Sequence, residues 1–510
     1  MINGHTDECI GKDCGQYANC FYYKMKDQAK EAKVIVTNHT TLLMDIALGG
    51  RILPNYDVLV IDEAHNIEKE AQEVFSAKVT QGRFVSLTSN ELVTAVAKES
   101  NLQNIKDNAS RLFKSVSSLF ENSIKDKVIL SKNFLENVEY TSSILTRLVV
   151  NLSQVFREET ENLVCKSMDD EDFESTLKGL NKETRIKAAK YRKLHERSSK
   201  LARDVEEICT FSSYAYAHYA SRKKNKRGED VFEIACTPLD VSNILGEKLF
   251  DVTTICTSAT LASTPDNFDS FNKSTGMNPD ISKTLPSVFN YKDNALFYFP
   301  SDIAQPKWND EISQRRYEQE IADRMQSLVE ISQGRAFLLF TSNKMMNAVH
   351  RQLHVPYPIL KQGDLPKQEM IKRFKLQPSV LLGVASFWEG VDIAGDALSL
   401  VVIDKLPFEP PDDPIQSGTV NLIKMKGGNE WEEYIIPRLI IKLKQGVGRL
   451  IRTNTDRGVV AILDQRLHTK RYGKQIKASL PPAIKTSDIR NVAQFFGVEI
   501  EENWGDVISW

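Results

Sequence analysis

Short runs of apolar, often β-branched residues alternate along the chain with longer stretches in which apolar positions recur at helical spacing. The runs lie at 34–37, 58–62, 232–236 and 253–258, and later at 295–299, 336–340, 380–385, 400–403 and 459–463. Turn-forming residues bound each run, which is short enough for a single buried strand. Strands that alternate with helices predict parallel sheets, so the pattern indicates an α/β protein with two sheet domains.

Residues 79–212 have a different composition. They contain few Gly or Pro and many Lys and Glu, and apolar residues recur at Leu145, Leu148, Leu152 and Val155. This spacing predicts an all-helical insertion. Strand-like runs on both sides place the insertion inside the first α/β domain, which then comprises residues 1–78 and 213–275, and residues 276–510 form the second domain.

Overall composition and charge neither support nor exclude nucleic acid as a binding partner. The 510 residues carry 66 Lys and Arg against 68 Asp and Glu, so a nucleic-acid surface would have to come from local clustering. The longest apolar runs, such as 336–340 and 398–403, are far shorter than the roughly 20 residues that cross a bilayer. The first residues are polar and lack the basic and apolar regions of a secretory signal, so we expect a cytoplasmic protein without a membrane segment.

Two adjacent carboxylates follow the apolar run at 57–61. Asp62 and Glu63 begin the sequence Asp-Glu-Ala-His, at the end of a predicted strand where α/β folds bind ligands. Asp62 is suited to holding Mg²⁺ through water, and Glu63 to activating a water molecule beside a nucleotide's phosphates. His65 could be a packed loop histidine, but we favour a role in which it couples the nucleotide site to a polar partner such as Gln445.

A second motif lies at 445–452, with the sequence Gln-Gly-Val-Gly-Arg-Leu-Ile-Arg. Its arginines, Arg449 and Arg452, can serve a transferring phosphate. A phosphate loop of the form Gly-x-x-x-x-Gly-Lys-Ser/Thr should accompany the carboxylates. The Gly-Lys pairs of the printed sequence, at 11–12 and 473–474, are followed by Asp and Gln and do not match it.

Seven cysteines in a chain of this size do not form a disulfide framework. Cys9, Cys14 and Cys20 are separated by four and five residues, and with His5 or His39 they could form a Cys₃His zinc site. The other four, Cys165, Cys209, Cys236 and Cys256, are scattered and predicted to be small buried residues.

Basic residues cluster at two places. The loop at 222–228 lies between strand-like runs at 214–219 and 231–236, so it is predicted to be a hairpin tip. A solvated turn and a phosphate contact are both compatible with this loop, and with the basic helix face between Arg185 and Arg203.

The order and spacing of these motifs resemble the iron–sulfur group of superfamily 2 DNA helicases, the DinG and XPD family. The matching segments are 62–65 (motif II), 257–261 (III), 340–343 (IV), 386–392 (V) and 445–452 (VI), with family-like connectors at 36–39, 237–240, 406–408, 411–414 and 463–466. The resemblance spans nearly the whole chain and is weakest in the insertion. It implies two RecA-like motor domains with an arch-like helical insertion.

The resemblance also implies an activity. ATP and Mg²⁺ would be used to translocate on single-stranded DNA and to unwind forked DNA, in repair or replication. Either Arg449 or Arg452 would be the arginine finger. In motif V, the link between the nucleotide state and DNA binding would be made by Glu389, Gly390 and Asp392. In motif III, hydrolysis would be relayed to the DNA by Ser258 and Thr260. In motif IV, DNA phosphates would accept hydrogen bonds from Thr341, Ser342 and Asn343. Phe387 and Trp388 are predicted to pack in the core and not to stack on bases.

The cysteine spacing resembles the last three ligands of the family's four-cysteine 4Fe–4S cluster, with residues 1–24 as the remnant of that segment. Because the phosphate loop and one cysteine are both missing, we expect a chain that lacks an N-terminal part and hydrolyses ATP poorly. The alternative is a non-catalytic DNA-binding or regulatory protein, although Asp62, Glu63, Arg449 and Arg452 are all retained. A helicase fused to an exonuclease has no support, since no additional acidic metal cluster is evident.

Overall fold

The structure, a computed structural model, describes residues 9, 14, 16–121, 123, 125–262, 266–307, 310–384, 387 and 395–499. These residues form two α/β lobes and an insertion that interrupts the first lobe. Within the described ranges, none of the helices has the length and apolar character needed to cross a bilayer.

Thirteen strands and twenty α-helices carry the fold in the described residues. The strands are β1 (Val58–Ile61), β2 (Ala77–Thr80), β3 (Lys127–Ile129), β4 (Tyr216–Lys224), β5 (Asp230–Pro238), β6 (Thr253–Cys256), β7 (Ala295–Tyr298), β8 (Arg335–Leu339), β9 (Ile359–Lys361), β10 (Ser379–Gly383), β11 (Leu400–Ile403), β12 (Gly458–Ile462) and β13 (Ile484–Thr486). The helices are α1 (Phe21–Glu31), α2 (His39–Ala47), α3 (Ile67–Val74), α4 (Gln81–Thr88), α5 (Glu91–Val96), α6 (Glu99–Ser118), α7 (Lys132–Val164), α8 (Phe173–Gly179), α9 (Lys182–Cys209), α10 (Ser242–Lys248), α11 (Asp269–Thr275), α12 (Tyr291–Asn294), α13 (Glu311–Ile331), α14 (Asn343–Gln352), α15 (Lys367–Leu376), α16 (Pro414–Met425), α17 (Ile436–Val447), α18 (Arg466–Thr469), α19 (Arg471–Ser479) and α20 (Ile489–Phe496). Short 3₁₀ helices occur at Tyr17–Asn19 and Ala64–Asn66, and a π-helical turn at Trp431–Ile435 precedes α17.

The first lobe is built on two parallel strands, β1 and β6, in register from Val58 with Thr253 to Ile61 with Cys256. One face of this sheet packs on α2, α3 and α10 and buries Ile61. On the opposite face Val58, Val60 and Ile255 are 55%, 61% and 51% exposed. Parallel sheets are ordinarily covered on both faces, so this lobe presents an apolar sheet surface with no cover among the described residues.

The prediction of a strand at 34–37 is wrong. These residues carry no regular secondary structure, and Val34 and Val36 are 78% and 92% exposed. Their β-branched side chains favour extended backbone, but a strand also needs a neighbour with which to form a hydrogen-bonded ladder. No described residue pairs with them.

The second lobe contains a seven-stranded parallel sheet in the order β13-β7-β12-β11-β8-β10-β9. Apolar clusters cover both faces, and strands β10, β11 and β12 are buried along their whole length. All five strands predicted for this domain are confirmed. Strands β9 and β13 were missed because each has only three residues, one of which is a lysine.

The insertion is mainly helical. Helices α6, α7 and α9 share one core, in which Leu145 and Leu152 are buried as the periodicity predicted. Strand β3 lies inside the range predicted to be entirely helical, and it joins a four-stranded antiparallel sheet of order β2-β5-β4-β3. The run at 232–236, predicted for the parallel sheet of the first domain, belongs to this antiparallel sheet as part of β5. An apolar run indicates a strand but does not specify its partner.

The scattered cysteines follow the prediction only in part. Cys209 and Cys236 are buried, and burial raises the pKa of each thiol to about 12, so both stay protonated near neutral pH. Cys256 is partly buried. Cys165 is exposed and follows the C-terminal end of α7 in the left-handed conformation, with φ at 56°.

Candidate active site

The two carboxylates lie at the carboxyl end of β1. Asp62 and Glu63 are both exposed, whereas Ile61 just before them is buried. Glu63 adopts left-handed backbone angles, φ 50° and ψ 40°, which are unfavourable for a residue with a β-carbon and recur at functional sites. This turn also lets the Glu63 N–H donate to Asp62 Oδ1 at 3.0 Å.

Strand β6 brings a second group of side chains to the same edge. Thr257 Oγ1 donates to Asp62 Oδ1 at 3.0 Å, and the Ala64 N–H donates to the Thr257 carbonyl at 3.0 Å. His39, at the start of α2, places Nε2 2.8 Å from the Asp62 carbonyl oxygen. Neither Thr257 nor His39 was assigned a role at the carboxylates, although both belong to segments that matched family motifs.

A continuous line of polar contacts runs from the second lobe to Glu63. Gln445 Nε2 donates to His65 Nε2 at 2.6 Å, which leaves the proton of a neutral imidazole on Nδ1. His65 Nδ1 lies 2.7 Å from Ser258 Oγ, and Ser258 Oγ donates to Glu63 Oε2 at 3.2 Å. The His65 side chain is only 6% exposed, so the imidazole in the middle of this path is shielded from water, whereas the Glu63 end is open to solvent. The predicted contact between His65 and Gln445 is therefore present.

Thr260 supports the middle of this path. Its N–H donates to Ser258 Oγ at 3.1 Å, and the two side-chain oxygens are 3.3 Å apart. Thr260 is buried. Ser258 and Thr260 thus form a compact hydroxyl pair directly behind the carboxylates.

Ion pairs join the lobes around a cavity of about 690 Å³ whose lining includes His65 and Gln445. They are Arg438 to Glu68 at 2.8 Å, Lys426 to Asp240 at 3.3 Å, and Lys273 to Glu433. Lys444 donates to the Ala262 carbonyl at 3.1 Å, and burial lowers the pKa of its amine. The lobes therefore meet through several specific contacts at the site.

Both motif VI arginines follow the C-terminal end of α17, the helix that also carries Gln445. Arg449 and Arg452 are partly buried. The Arg452 N–H donates to Asp456 Oδ2 at 2.7 Å, which fixes the backbone just after the helix. One helix end therefore sets the position of Gln445 and of both arginines.

Comparison with known proteins agrees with this geometry. Residues 7–84 match the DEAD_2 family model, and residues 325–483 match the model described as a helicase C-terminal domain. The ATP-dependent DNA helicase YoaA of Escherichia coli strain K12 is 30% identical over 511 residues, covering 98% of this chain and 74% of that protein. The chain belongs to the DinG/XPD helicase family.

Other relatives carry different names. The ATP-dependent helicase DinG of Mycobacterium tuberculosis strain H37Rv is 28% identical over 96% of this chain and 70% of its own length. A Bacillus subtilis protein named 3′-5′ exonuclease DinG is 25% identical, and the match covers 94% of this chain but 54% of that protein.

Solved structures share the fold. One titled XPD_Helicase has a TM-score of 0.54 at 19% identity, over 92% of this chain and 75% of its own. A second, titled XPD_APO, has a TM-score of 0.55 at 16% identity, over 92% of this chain and 85% of its own. The two-lobed α/β architecture predicted from the sequence is confirmed.

Motif IV of this helicase-family chain is held by a residue that sequence reasoning missed. The Thr341 N–H and hydroxyl donate to Asp404 Oδ1 and Oδ2 at 3.0 and 3.1 Å, and the Lys405 N–H donates to Oδ1 at 2.8 Å. Asp404 is fully buried at the end of β11, and burial raises its pKa to about 7. Because the Thr341 hydroxyl already donates to Asp404, this conformation does not support its predicted donation to a DNA phosphate.

The other motif IV residues form the start of α14. Ser342 caps the helix by accepting from the Met345 N–H at 3.2 Å, and Asn343 is the first helical residue. In motif V, Glu389, Gly390, Asp392 and Trp388 lie outside the described residues. Phe387 is 1% exposed and packs edge-on against Phe337 with ring centroids 6.3 Å apart, which confirms its predicted place in the core.

The three N-terminal cysteines are not gathered around one point. Cys9 Sγ lies 3.6 Å from the Tyr23 hydroxyl, and Cys14 and Cys20 flank the 3₁₀ helix at Tyr17–Asn19. Across the described ranges, no three His, Cys, Asp or Glu side chains form a group that could hold a metal ion. His39 contacts the carboxylate turn, and His5 lies outside the described residues. As arranged, these residues fit neither a four-thiolate cluster nor a Cys₃His zinc site.

Proposed function

We propose that this chain is the motor of an ATP-dependent DNA helicase that couples ATP hydrolysis to translocation on single-stranded DNA and to unwinding of forked DNA, in repair or replication. The observation that carries the proposal is the path from Gln445 through His65 and Ser258 to Glu63. A contact that begins in one lobe and ends on the candidate catalytic base can make hydrolysis depend on how the lobes are arranged.

Each site residue has a role in this proposal. Asp62 would hold Mg²⁺ beside the phosphates, and the ion would offset their negative charge. Glu63 would accept a proton from the attacking water, and its exposed position leaves room for that water. Arg449 or Arg452 would reach the γ-phosphate from the second lobe. Glu389, Gly390 and Asp392 would transmit the nucleotide state to the DNA, with Ser342 and Asn343 as phosphate donors.

The printed sequence contains no phosphate loop for the β- and γ-phosphates. The uncovered face formed by Val58, Val60 and Ile255 lies on the same two-stranded sheet that carries the carboxylates. We therefore propose that the 510 residues alone turn over ATP poorly and need a phosphate-binding segment. A non-catalytic DNA-binding protein is the second candidate. The intact hydrogen bonds around Asp62, Glu63 and His65 favour the motor, since a discarded active site has no reason to keep them.

The proposal is tested by measuring ATP hydrolysis with and without single-stranded DNA. We expect little turnover from the 510 residues, and DNA-stimulated turnover from a longer polypeptide that joins them to a segment containing Gly-x-x-x-x-Gly-Lys-Ser/Thr. In that longer form Glu63→Gln should still bind ATP and DNA but lose turnover by roughly two orders of magnitude or more. Glu73→Gln is the control, because Glu73 is an exposed carboxylate outside the site. Wild-type turnover by the Glu63 variant would refute the assigned role.

We also propose that Cys9, Cys14 and Cys20, whose thiols do not converge on one point in this structure, would be drawn together as three ligands of an iron–sulfur cluster that needs one more thiolate. The measurement is iron, sulfide and zinc content on one anaerobically purified sample. We expect substoichiometric iron with sulfide in the 510 residues, lost on exposure to air and absent in Cys14→Ser. Cys165→Ser should change nothing, since Cys165 is exposed and remote in sequence. Stoichiometric zinc without sulfide would overturn the cluster and favour the zinc site.

A further inference from the structure

The hairpin of β4 and β5 carries a basic tip to which the proposed mechanism assigns no role. The two strands pair over nine residues each, from Tyr216 with Pro238 to Lys224 with Asp230. Strand β3 pairs with residues 219–221 of β4, and β2 with residues 233–236 of β5. The last three register pairs therefore extend beyond the four-stranded ladder, by roughly 10 Å at the usual rise per residue.

Arg222 fixes the base of this extension. Its Nη2 donates to the carbonyls of Ser123 and Lys125 at 3.2 and 3.3 Å, and its guanidinium lies over the Phe120 ring, 5.4 Å from the centroid. On the opposite strand Phe232 packs against the same Phe120 ring, with centroids 5.3 Å apart. Both strands are thus anchored where they leave the sheet.

Asn225 fixes the tip itself. Its Oδ1 accepts from the N–H groups of Arg227 and Glu229 at 2.8 and 3.0 Å, and its own N–H donates to the Glu229 carbonyl at 2.9 Å. Gly228 supplies the positive φ, 81°, that closes the turn. The loop conformation is therefore set by the backbone and Asn225, without the side chains of Lys226 and Arg227.

The charges near the tip are not balanced. Two of the three acidic side chains form ion pairs, Glu233 with Lys223 at 3.3 Å and Asp230 with Lys224 at 2.7 Å. Glu229 accepts a hydrogen bond from the neutral Asn225 amide at 2.8 Å and keeps its negative charge. Lys226 and Arg227 are exposed, and within the described part of the chain neither side chain has a hydrogen-bond or ion-pair partner. A rigid loop therefore presents two exposed cations against the single carboxylate of Glu229, so the tip is positively charged overall.

The base of the hairpin extension lies beside the contact between the insertion and the second lobe. Lys125, whose carbonyl Arg222 binds, forms an ion pair with Asp412 at 2.8 Å, and Lys127 forms one with Asp413 at 3.0 Å. Asp413 caps α16 of the second lobe. A polymer that passes from the second lobe toward the insertion would meet the tip at this junction.

We propose that Lys226 and Arg227 bind two backbone phosphates of the DNA on which the motor acts. Arg and Lys are the usual phosphate-binding side chains, and residues 225–230 include no aromatic side chain for stacking on a base or filling a protein interface. The contact is therefore electrostatic and independent of base sequence. This inference rests on the proposed function and adds a DNA contact outside the helicase motifs.

The test measures binding of the 510-residue chain to a fluorescently labelled forked oligonucleotide over a series of KCl concentrations. The double variant Lys226→Ala/Arg227→Ala should reduce the slope of log affinity against log salt by about 2, because each duplex phosphate contact contributes about 0.9. Its affinity at low salt should fall roughly tenfold. The double variant Lys226→Arg/Arg227→Lys, which keeps both positive charges, should have the wild-type salt slope and the wild-type affinity at low salt.

Arg111→Ala/Lys114→Ala is the matched control, since it removes one arginine and one lysine from exposed positions on α6, a helix that shares a hydrophobic core with the hairpin strands. It should leave the slope unchanged, and all variants should melt at the wild-type temperature. If Lys226→Ala/Arg227→Ala leaves the slope unchanged, whether or not the affinity falls, the inference is overturned and the proposed function still stands. If the wild-type chain does not bind the fork, both are overturned.

Discussion

At the scale of single residues, the site depends on a few side chains that structure places under constraint. Glu63 is held in left-handed backbone, and Asp62 accepts from Thr257 and from the Glu63 N–H. In the second lobe, Asp404 is buried completely and still accepts three hydrogen bonds. These residues orient loops at the carboxyl ends of strands, where parallel sheets bind ligands.

Asp404 should make stability depend on pH in an unusual direction. Burial raises its pKa to about 7, so the folded chain keeps a proton that the unfolded chain releases near pH 4. The contribution of Asp404 to stability is then largest below about pH 4, is lost as the pH rises to about 7, and is constant above that. We expect Asp404→Asn to gain roughly 4 kcal/mol relative to wild type across this interval, from about three pKa units at about 1.4 kcal/mol each. Urea unfolding at several pH values measures the difference, and parallel pH profiles for the two proteins would refute the prediction.

At the scale of elements, β1 shows how one short strand serves two environments. Ile61 is 1% exposed and packs in the core of the first lobe, whereas Val60, its neighbour, is 61% exposed on the uncovered face. In β10, β11 and β12 of the second lobe, by contrast, every residue is buried. Among the described residues, the β1–β6 sheet is therefore covered by helices on one face only.

This asymmetry predicts opposite outcomes for neighbouring substitutions. Ile61→Ala should lower the free energy of unfolding by about 2–5 kcal/mol, because it leaves a cavity under α2 and α3. Val60→Ala should change it by less than about 0.5 kcal/mol, because its side chain is already in water. Thermal or urea unfolding of both variants tests the pair. An equally large loss for Val60→Ala would mean that the outer face is covered in solution.

At the scale of the whole molecule, the candidate site lies where the two lobes meet. The hydrogen bond from Gln445 to His65 lies beside a cavity that three ion pairs surround. The insertion touches the second lobe through Lys125 and Lys127, and Lys193 of α9 binds the Cys9 carbonyl. One chain segment thus contacts both the N-terminal cysteines and the second lobe.

If Gln445 and His65 act as one unit, the losses of turnover caused by substituting each residue should not be additive. We expect His65→Ala and Gln445→Ala each to reduce DNA-stimulated turnover of the longer, loop-containing form, and the double variant to be no slower than the slower single variant. Arg438→Ala provides the comparison, because it breaks a different contact between the lobes, to Glu68. Multiplicative losses in the His65/Gln445 cycle would show that the two residues act independently.

Sequence by itself predicted the fold class, eight of the nine strands first assigned, the position of Asp62 and Glu63 at the end of a strand, and the contact between His65 and Gln445. Seven of those eight strands lie in the sheet predicted for them. These follow from local properties: β-branched runs form buried strands, and polar motifs at strand ends face ligands. Only tertiary structure decided that residues 34–37 form no strand, that 232–236 join an antiparallel sheet, and that Thr341 is bound by Asp404. In each case the outcome depends on a partner distant in sequence, and local pattern cannot specify which strand pairs with which or which carboxylate is buried beside which hydroxyl.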